Sequence, residues 1–343
     1  MPVLVRRLSL LLLILGATPA WPDAELARRF EAASPAVVTI RTVERSPTPG
    51  PDGAVAMRST GGLGSGVLID DDGPIATAAH VVQTAEEVAV SFEDGTVLPA
   101  RILASEVPSD LALLRVERVP DGVSPAKLAD APPPVGEDIF VVGAPFGIER
   151  TLSRGIVSGL RTETSGPLAG AVEYVQTDAS INTGNSGGPM FDMRGRVVGI
   201  VSSIISRGGG FDGIGIAVSV SSLRTRMLDR SGLWLGFSAV PLENELAKAF
   251  NIGTGFGLLI QQVAYRSPSY YIGLEGGTIP AHIGSRDVLL GGDVLVEIMG
   301  VPIDATPESY EAIQARVEEI DEGERIEFVV IRDGERVVLA TSR

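Results

Sequence analysis

Cysteine is absent from this chain, which excludes disulfides, thiolate nucleophiles, zinc fingers and iron–sulfur clusters. Histidine is scarce: only His80 and His282 occur. A multi-histidine metal site is therefore disfavoured, and any imidazole acid/base chemistry must run through one of two rings. Positive charge is short as well, with 28 Lys and Arg against 43 Asp and Glu and a net charge of −15. That argues against nucleic-acid partners, because a phosphate-tracking protein draws its affinity from clustered basic side chains. Beyond the N-terminus no apolar run approaches membrane-spanning length, and no short-period repeat marks a solenoid. No cofactor or metal is expected.

With 44% hydrophobic and 21% charged residues, the 343-residue chain has the composition of a folded globular protein. At ~150 residues per domain, two domains are expected, each able to form a core without covalent staples. Residues 1–20 stand apart: Arg6-Arg7 precede the apolar run Leu8 to Leu15, and small residues end at Ala20. The pattern is that of a secretory signal peptide. The run is shorter than the ~20 residues that cross a bilayer, so cleavage after Ala20 is favoured over an uncleaved N-terminal tether. Either outcome exports the protein, and a periplasmic location is expected.

Between Val37 and Val220, short Val- and Ile-rich segments recur: Ala36 to Val43, Gly66 to Ile69, Glu87 to Phe92, Ile139 to Val142 and Arg196 to Ser203. Turn residues separate them, including Asp71-Asp72-Gly73 and Glu93-Asp94-Gly95. Strands at this spacing predict an all-β sandwich or barrel. Arg45 to Gly62, poor in apolar residues, reads as a flexible surface loop. A linker helix is expected over 221–232, and a compact α+β domain over 233–343, with helices at Leu242 to Phe250 and Pro307 to Ile320.

Three landmarks lie in the first domain, taken as 23–220. His80 follows Thr77-Ala78-Ala79; a lone histidine among apolar neighbours is more often a packed core residue than a catalyst. Asp110 enters the apolar run Leu111 to Leu114; buried it would need a partner, although a solvated turn aspartate is an equally good reading. Gly184-Asn185-Ser186-Gly187-Gly188-Pro189 would let backbone amides converge beside a hydroxyl, whereas a generic glycine turn is the plain alternative. Jointly they carry more. A serine attacks at neutral pH only if a base takes its proton, imidazole has the pKa for that task, and a buried carboxylate can fix its tautomer. The chain order His, Asp, Ser is that of chymotrypsin-like enzymes, and differs from the subtilisin and α/β-hydrolase orders.

Gly64-Ser65-Gly66-Val67, Thr77 to His80, Ser109-Asp110-Leu111-Ala112 and Gly184 to Pro189 together resemble the HtrA (Deg) serine proteases, as do Gly143 to Gly147, Thr151 to Gly159 and Gly213 to Val218. The resemblance covers nearly the whole chain after residue 20. It implies an all-β, trypsin-like double β-barrel followed by a small α+β PDZ domain. It further implies that Ser186 attacks the scissile carbonyl, His80 relays the proton, Asp110 orients His80, and the amides of Gly184 and Ser186 form the oxyanion hole. By similarity to trypsin-like folds, Ser180, Ile181, Ser202, Ser203 and Ile204 line the primary pocket. No acid stands where trypsin has its aspartate, so small or medium aliphatic residues are expected before the cleaved bond. Asp178 is close in sequence and reads as a hydrogen-bonded loop carboxylate.

Leu235-Gly236-Phe237 resembles a PDZ carboxylate-binding loop, which implies capture of C-terminal peptides along a sheet edge. Family members form trimers through their N-terminal segment, here Asp23 to Ala33, so a homotrimer or a multiple of it is expected. The sequence departs from the family at Thr183, where proline is common, and in about a dozen extra residues at 275–290, read as a surface loop holding His282. The function implied is an exported, ATP-independent endopeptidase that degrades unfolded or damaged polypeptides under PDZ regulation. The alternative is a holding chaperone or peptide-sensing scaffold with incidental peptidase activity.

Overall fold

Six short strands rich in β-branched residues can bury their alternating apolar faces most completely by closing on themselves, and this chain does so twice. The computed structural model describes residues 22–342 apart from 50–54, 149, 165–169, 205–210, 231, 251, 254, 284–285, 305 and 320–324; the expected signal peptide lies outside the described residues. Helix α1 (Pro22–Ala33) leads into the first closed barrel, whose strands are β1 (Val37–Pro49), β2 (Val55–Leu68), β3 (Pro74–Thr77), β4 (Glu87–Ser91), β5 (Val97–Glu106) and β6 (Leu111–Val116). The one-turn helix α2 (Ala79–Val82) follows β3. The second closed barrel comprises β7 (Asp138–Gly143), β8 (Thr151–Thr164), β9 (Ala171–Thr177), β10 (Pro189–Asp192), β11 (Val197–Ile204) and β12 (Gly215–Ser219).

Ile40, Val67, Ile75, Val90 and Leu114 fill the first barrel, while Ile139, Val141, Met190, Val198 and Val201 fill the second. On the second barrel Phe140 of β7 stacks on its cross-strand partner Phe191 of β10 with ring centroids 5.0 Å apart, and this fully buried pair joins the core cluster that holds Ile40, Val67 and Leu114 of the first barrel.

A short helix, α3 (Val220–Leu223), runs into a π-helical turn at Arg224–Leu228 and leads to the C-terminal domain. Its sheet is ordered β13 (Phe237–Glu243), β14 (Phe256–Val263), β17 (Val294–Ile298), β19 (Arg325–Arg332) and β20 (Glu335–Ser342), with β18 (Val301–Pro302) beside β17. Helices α4 (Asn244–Ala249), α5 (Pro268–Tyr271) and α6 (Pro307–Glu319) complete it. The expected helix at Leu242 to Phe250 is thus shorter, because Leu242 and Glu243 pair with Gly257 and Phe256.

Two sequence expectations are corrected. Arg45 to Gly62 is not a loop throughout, since β1 and β2 continue their ladder through Arg45↔Ser59 to Pro49↔Val55. Backbone hydrogen bonds need no apolar side chains, and the ladder is propped by Arg45–Glu86 at 3.0 Å and by Gln262 donating to the Ser46 hydroxyl at 2.7 Å. The inserted 275–290 segment likewise holds two paired strands, β15 (Ile279–Ile283) and β16 (Arg286–Leu290), across which His282 Nδ1 lies 2.9 Å from Asp287.

Candidate active site

Thirty residues separate His80 from Asp110, but strand pairing removes that distance. In the β3–β6 ladder Thr77 lies opposite Ala112. His80, three residues beyond Thr77, and Asp110, two before Ala112, therefore emerge at the same end of neighbouring strands. Ala78 and Ala79 are fully buried and let α2 sit against the barrel. Asp110 closes a 3-10 turn (Val107–Ser109) with Pro108 at its second position, and adopts the left-handed conformation at φ 55° and ψ 39°. Aspartate tolerates that region better than most residues. The turn aims the carboxylate back at α2: Oδ1 accepts from the His80 backbone amide at 3.0 Å, and both oxygens lie 2.9 Å from His80 Nδ1. Burial of the half-exposed ring favours its neutral form, but the hydrogen bond and charge of Asp110 outweigh it, raising the His80 pKa above its ordinary 6.5. With Nδ1 donating to Asp110, Nε2 is the free basic nitrogen.

The loop from Asn182 to Pro189 is pinned on both sides. Gly187 donates to the Val201 carbonyl at 2.7 Å, and Val201 donates to Gly188 at 2.8 Å. Ser65, fully buried on β2, holds the other side: its amide donates to the Ser186 carbonyl at 2.8 Å. Its hydroxyl donates to the Gly184 carbonyl at 2.7 Å and accepts from the Ala144 amide at 3.0 Å. The Ser65 carbonyl in turn accepts from the Thr77 hydroxyl at 2.7 Å, so the loop is tied to the strand that leads into His80. A side chain at Gly187 would strike Thr77 and the Ser65 carbonyl, which explains glycine at this close approach.

Among the described residues, neither the Gly184 amide nor the Ser186 amide donates to a protein acceptor. The Thr183 carbonyl accepts from the Phe146 amide at 3.0 Å. Because a trans peptide sets C=O and N–H in opposite directions, the Gly184 N–H points away from Phe146. Gly184 holds φ 102°, and a Cβ there would collide with the Ala144 carbonyl. The Ser186 hydroxyl donates to the Ser202 carbonyl at 3.3 Å, while the Ser202 hydroxyl donates to Asp110 Oδ2. Ser202 thus joins the Ser186 hydroxyl and the Asp110 carboxylate in one network. The Ser186–His80 hydrogen bond itself is not formed in this structure.

Of the other residues named from the sequence, Ser180 is exposed and its carbonyl accepts from the Ser153 hydroxyl at 2.9 Å. Ile181 is buried with Val201 and Ala217 in the second barrel, and Ser203 and Ile204 follow Ser202 on β11. Asp178 caps the Ile156 amide at 2.8 Å, in line with its reading as a loop carboxylate. Leu235 and Gly236, the latter at φ 76°, lead into Phe237, the first residue of the edge strand β13. A cavity of about 570 Å³ lies beside them, lined by Leu235, Phe237, Tyr310, Ile313 and Val317 and, from the first barrel, by Gln83. The positioning roles of Ser65, Thr77 and Ser202 were not read from the sequence. Their signal is a hydroxyl inside an apolar strand, which by itself does not say what it bonds.

Residues 64–200 match the model of the trypsin-like peptidase domain. A probable periplasmic serine endoprotease DegP-like from Halomonas elongata is 34% identical over 281 residues, covering 80% of this chain and 54% of the relative. One of the same description from Ectopseudomonas mendocina is 32% identical, covering 97% of this chain and 74% of the relative. This chain thus spans only part of the length of these relatives. Among solved structures, the HtrA-type protease AlgW with a tripeptide superposes with a TM-score of 0.51 at 27% identity, over 92% of this chain and 95% of that one. Sequence and fold agree that the chain belongs to the HtrA family of serine proteases.

Proposed function

We propose that this chain is an exported serine endopeptidase acting on unfolded or damaged polypeptides, with Ser186 as nucleophile, His80 as general base and Asp110 as the group that orients it. His80 Nε2 takes the Ser186 proton as Oγ bonds to the scissile carbon. The oxyanion is received by the amides of Gly184 and Ser186, and His80 returns the proton to the leaving amine. Asp110 keeps the proton on Nδ1 and stabilises the transient imidazolium. The observation that carries this reading is the double 2.9 Å contact of His80 Nδ1 with Asp110, joined through Ser202 to Ser186. The periplasmic relatives support export, and among the described residues no helix is long and apolar enough to cross a membrane.

In this reading Ser180, Ile181, Ser202, Ser203 and Ile204 form a neutral pocket that favours small or medium aliphatic residues, with Asp178 already committed to a backbone amide. The C-terminal domain acts as a PDZ module. A peptide adds to the free edge of β13, its carboxylate meets Leu235-Gly236-Phe237, and its apolar side chains enter the adjoining cavity. Trimerisation through α1 completes the proposal.

Casein digestion tests the core of it: Ser186→Ala should lower the rate by about a million-fold. Digestion that survives the substitution would overturn the assignment. Equal suppression of client aggregation by wild type and variant, without casein cleavage by either, would favour the holding-chaperone reading. A peptide library showing strong preference for Lys or Arg before the cut would overturn the pocket.

A further inference from the structure

Glu106 ends β5 four residues before Asp110, and no step of the mechanism uses it. Its side chain is 11% exposed, and its bonds come from three separate parts of the molecule. Oε1 accepts from Arg226 Nη1 at 2.7 Å and from the Tyr310 hydroxyl. Oε2 accepts from the hydroxyl of Ser109, the buried residue immediately before Asp110. Arg226, itself 9% exposed, lies in the π-helical turn after α3 and spends Nη2 on the Ala171 carbonyl at 3.0 Å. Tyr310 belongs to α6, on the wall of the C-terminal cavity.

Asp110 holds a left-handed backbone conformation, which aspartate tolerates but which the surrounding turn must select. The turn that imposes it is a single 3-10 turn closed by Asp110 N to Val107 O at 3.0 Å. Glu106 flanks that turn on one side and Asp110 on the other, and the Glu106–Ser109 bond spans it. Arg226 and Tyr310, both bonded to Oε1, fix where this enclosed carboxylate stands.

We infer that Glu106 is a positioning residue for the catalytic machinery: anchored by Arg226 and Tyr310, it clamps Ser109 and so holds the turn that aims Asp110 at His80. The inference rests on the reading of Asp110 as the group that orients His80. Its consequence is that the linker and α6 both reach the reaction through one carboxylate. A peptide entering the cavity beside Tyr310 would act on the same point.

The experiment measures kcat and KM against pH on an unstructured peptide substrate, using the full chain with Glu106→Gln, Ser109→Ala and Tyr310→Phe. The charged group facing His80 is Asp110; Glu106 faces the charged Arg226 and the hydroxyls of Tyr310 and Ser109. Displacing Asp110 weakens its hold on the imidazolium. Glu106→Gln is therefore expected to lower kcat about ten-fold with KM unchanged, and to move the acid limb toward lower pH. Ser109→Ala, which spares the Arg226 pair, should do the same, and Tyr310→Phe should move the limb in the same direction by less. Proton NMR should show the downfield His80 Nδ1 signal weakened in each. An acid limb and kcat unchanged in Ser109→Ala and Tyr310→Phe would overturn the inference, even if Glu106→Gln fails to fold. Asp110→Asn serves as the control: if it keeps full activity the triad reading fails, and if it alone loses activity only the role of Glu106 fails.

Discussion

The chain has two junctions, and they are built on opposite principles. Where the barrels meet, Phe140 and Phe191 of the second barrel pack into one core cluster with first-barrel residues, and the polar groups are backbone or short hydroxyls with few rotamers to lose. Where the first barrel meets the C-terminal domain, long side chains reach across a 570 Å³ cavity. Gln83 donates to the Phe237 carbonyl at 2.6 Å and accepts at its own carbonyl from Trp234 Nε1 at 3.0 Å, and Arg226 and Tyr310 converge on Glu106. A dry, interdigitated contact has no intermediate state between packed and broken. A cavity bridged by a few polar contacts can open at the cost of those contacts alone. The first junction suits residues that must not move during a reaction, and the second suits a ligand that must enter.

The contrast is sharpest in catalysis. Asp110→Asn should lower kcat/KM by about 10,000-fold through loss of the correct tautomer. In the wild type, His80 must be neutral to act as base, so activity should rise with pH through a value above 6.5. In the variant the raising influence is gone and burial remains, so the residual activity should rise at lower pH. Next in size, Ser65→Ala should cost about 100-fold in kcat by releasing the Gly184 carbonyl, comparable to losing one oxyanion donor. A wild-type kcat in that variant would show that the inter-barrel hydroxyls do not hold the loop.

Stability separates the junctions further. Phe140→Ala is expected to destabilise the chain by about 3–5 kcal/mol in denaturant titration. Gln83→Ala should cost about 1 kcal/mol or less and, by freeing the Phe237 carbonyl on the edge of β13, should tighten binding of a hydrophobic C-terminal peptide in calorimetry. Equal destabilisation by the two substitutions would erase the distinction between a locked junction and an openable one.

Much of the first junction was legible in the sequence, because the groups it needs are rare. One histidine near a strand end, one aspartate entering an apolar run and one serine in a glycine-rich turn left few other combinations. Short strands with turn residues between them left a sandwich or a barrel open, and the family resemblance implied the double barrel that is found. Ser65, Thr77 and Ser202 escaped because a buried serine or threonine has many partners open to it, and only the register Thr77↔Ala112 and the loop closure choose among them. The second junction was hidden for a related reason. Glu106 is 120 residues from Arg226 and 204 from Tyr310, and no local pattern marks three ordinary residues that meet only when the linker turns back. The β1–β2 extension was obscured by its composition, since a ladder formed by backbone groups leaves no alternating apolar signature.

The central claim is that Ser186 is a nucleophile activated by His80. Reaction with a serine-directed phosphonate, followed by peptide mass mapping, examines it directly. The account predicts one covalent adduct per chain on Ser186 and its loss when His80 is replaced by alanine. An adduct on another residue, or labelling of Ser186 that proceeds equally without the imidazole, would contradict it.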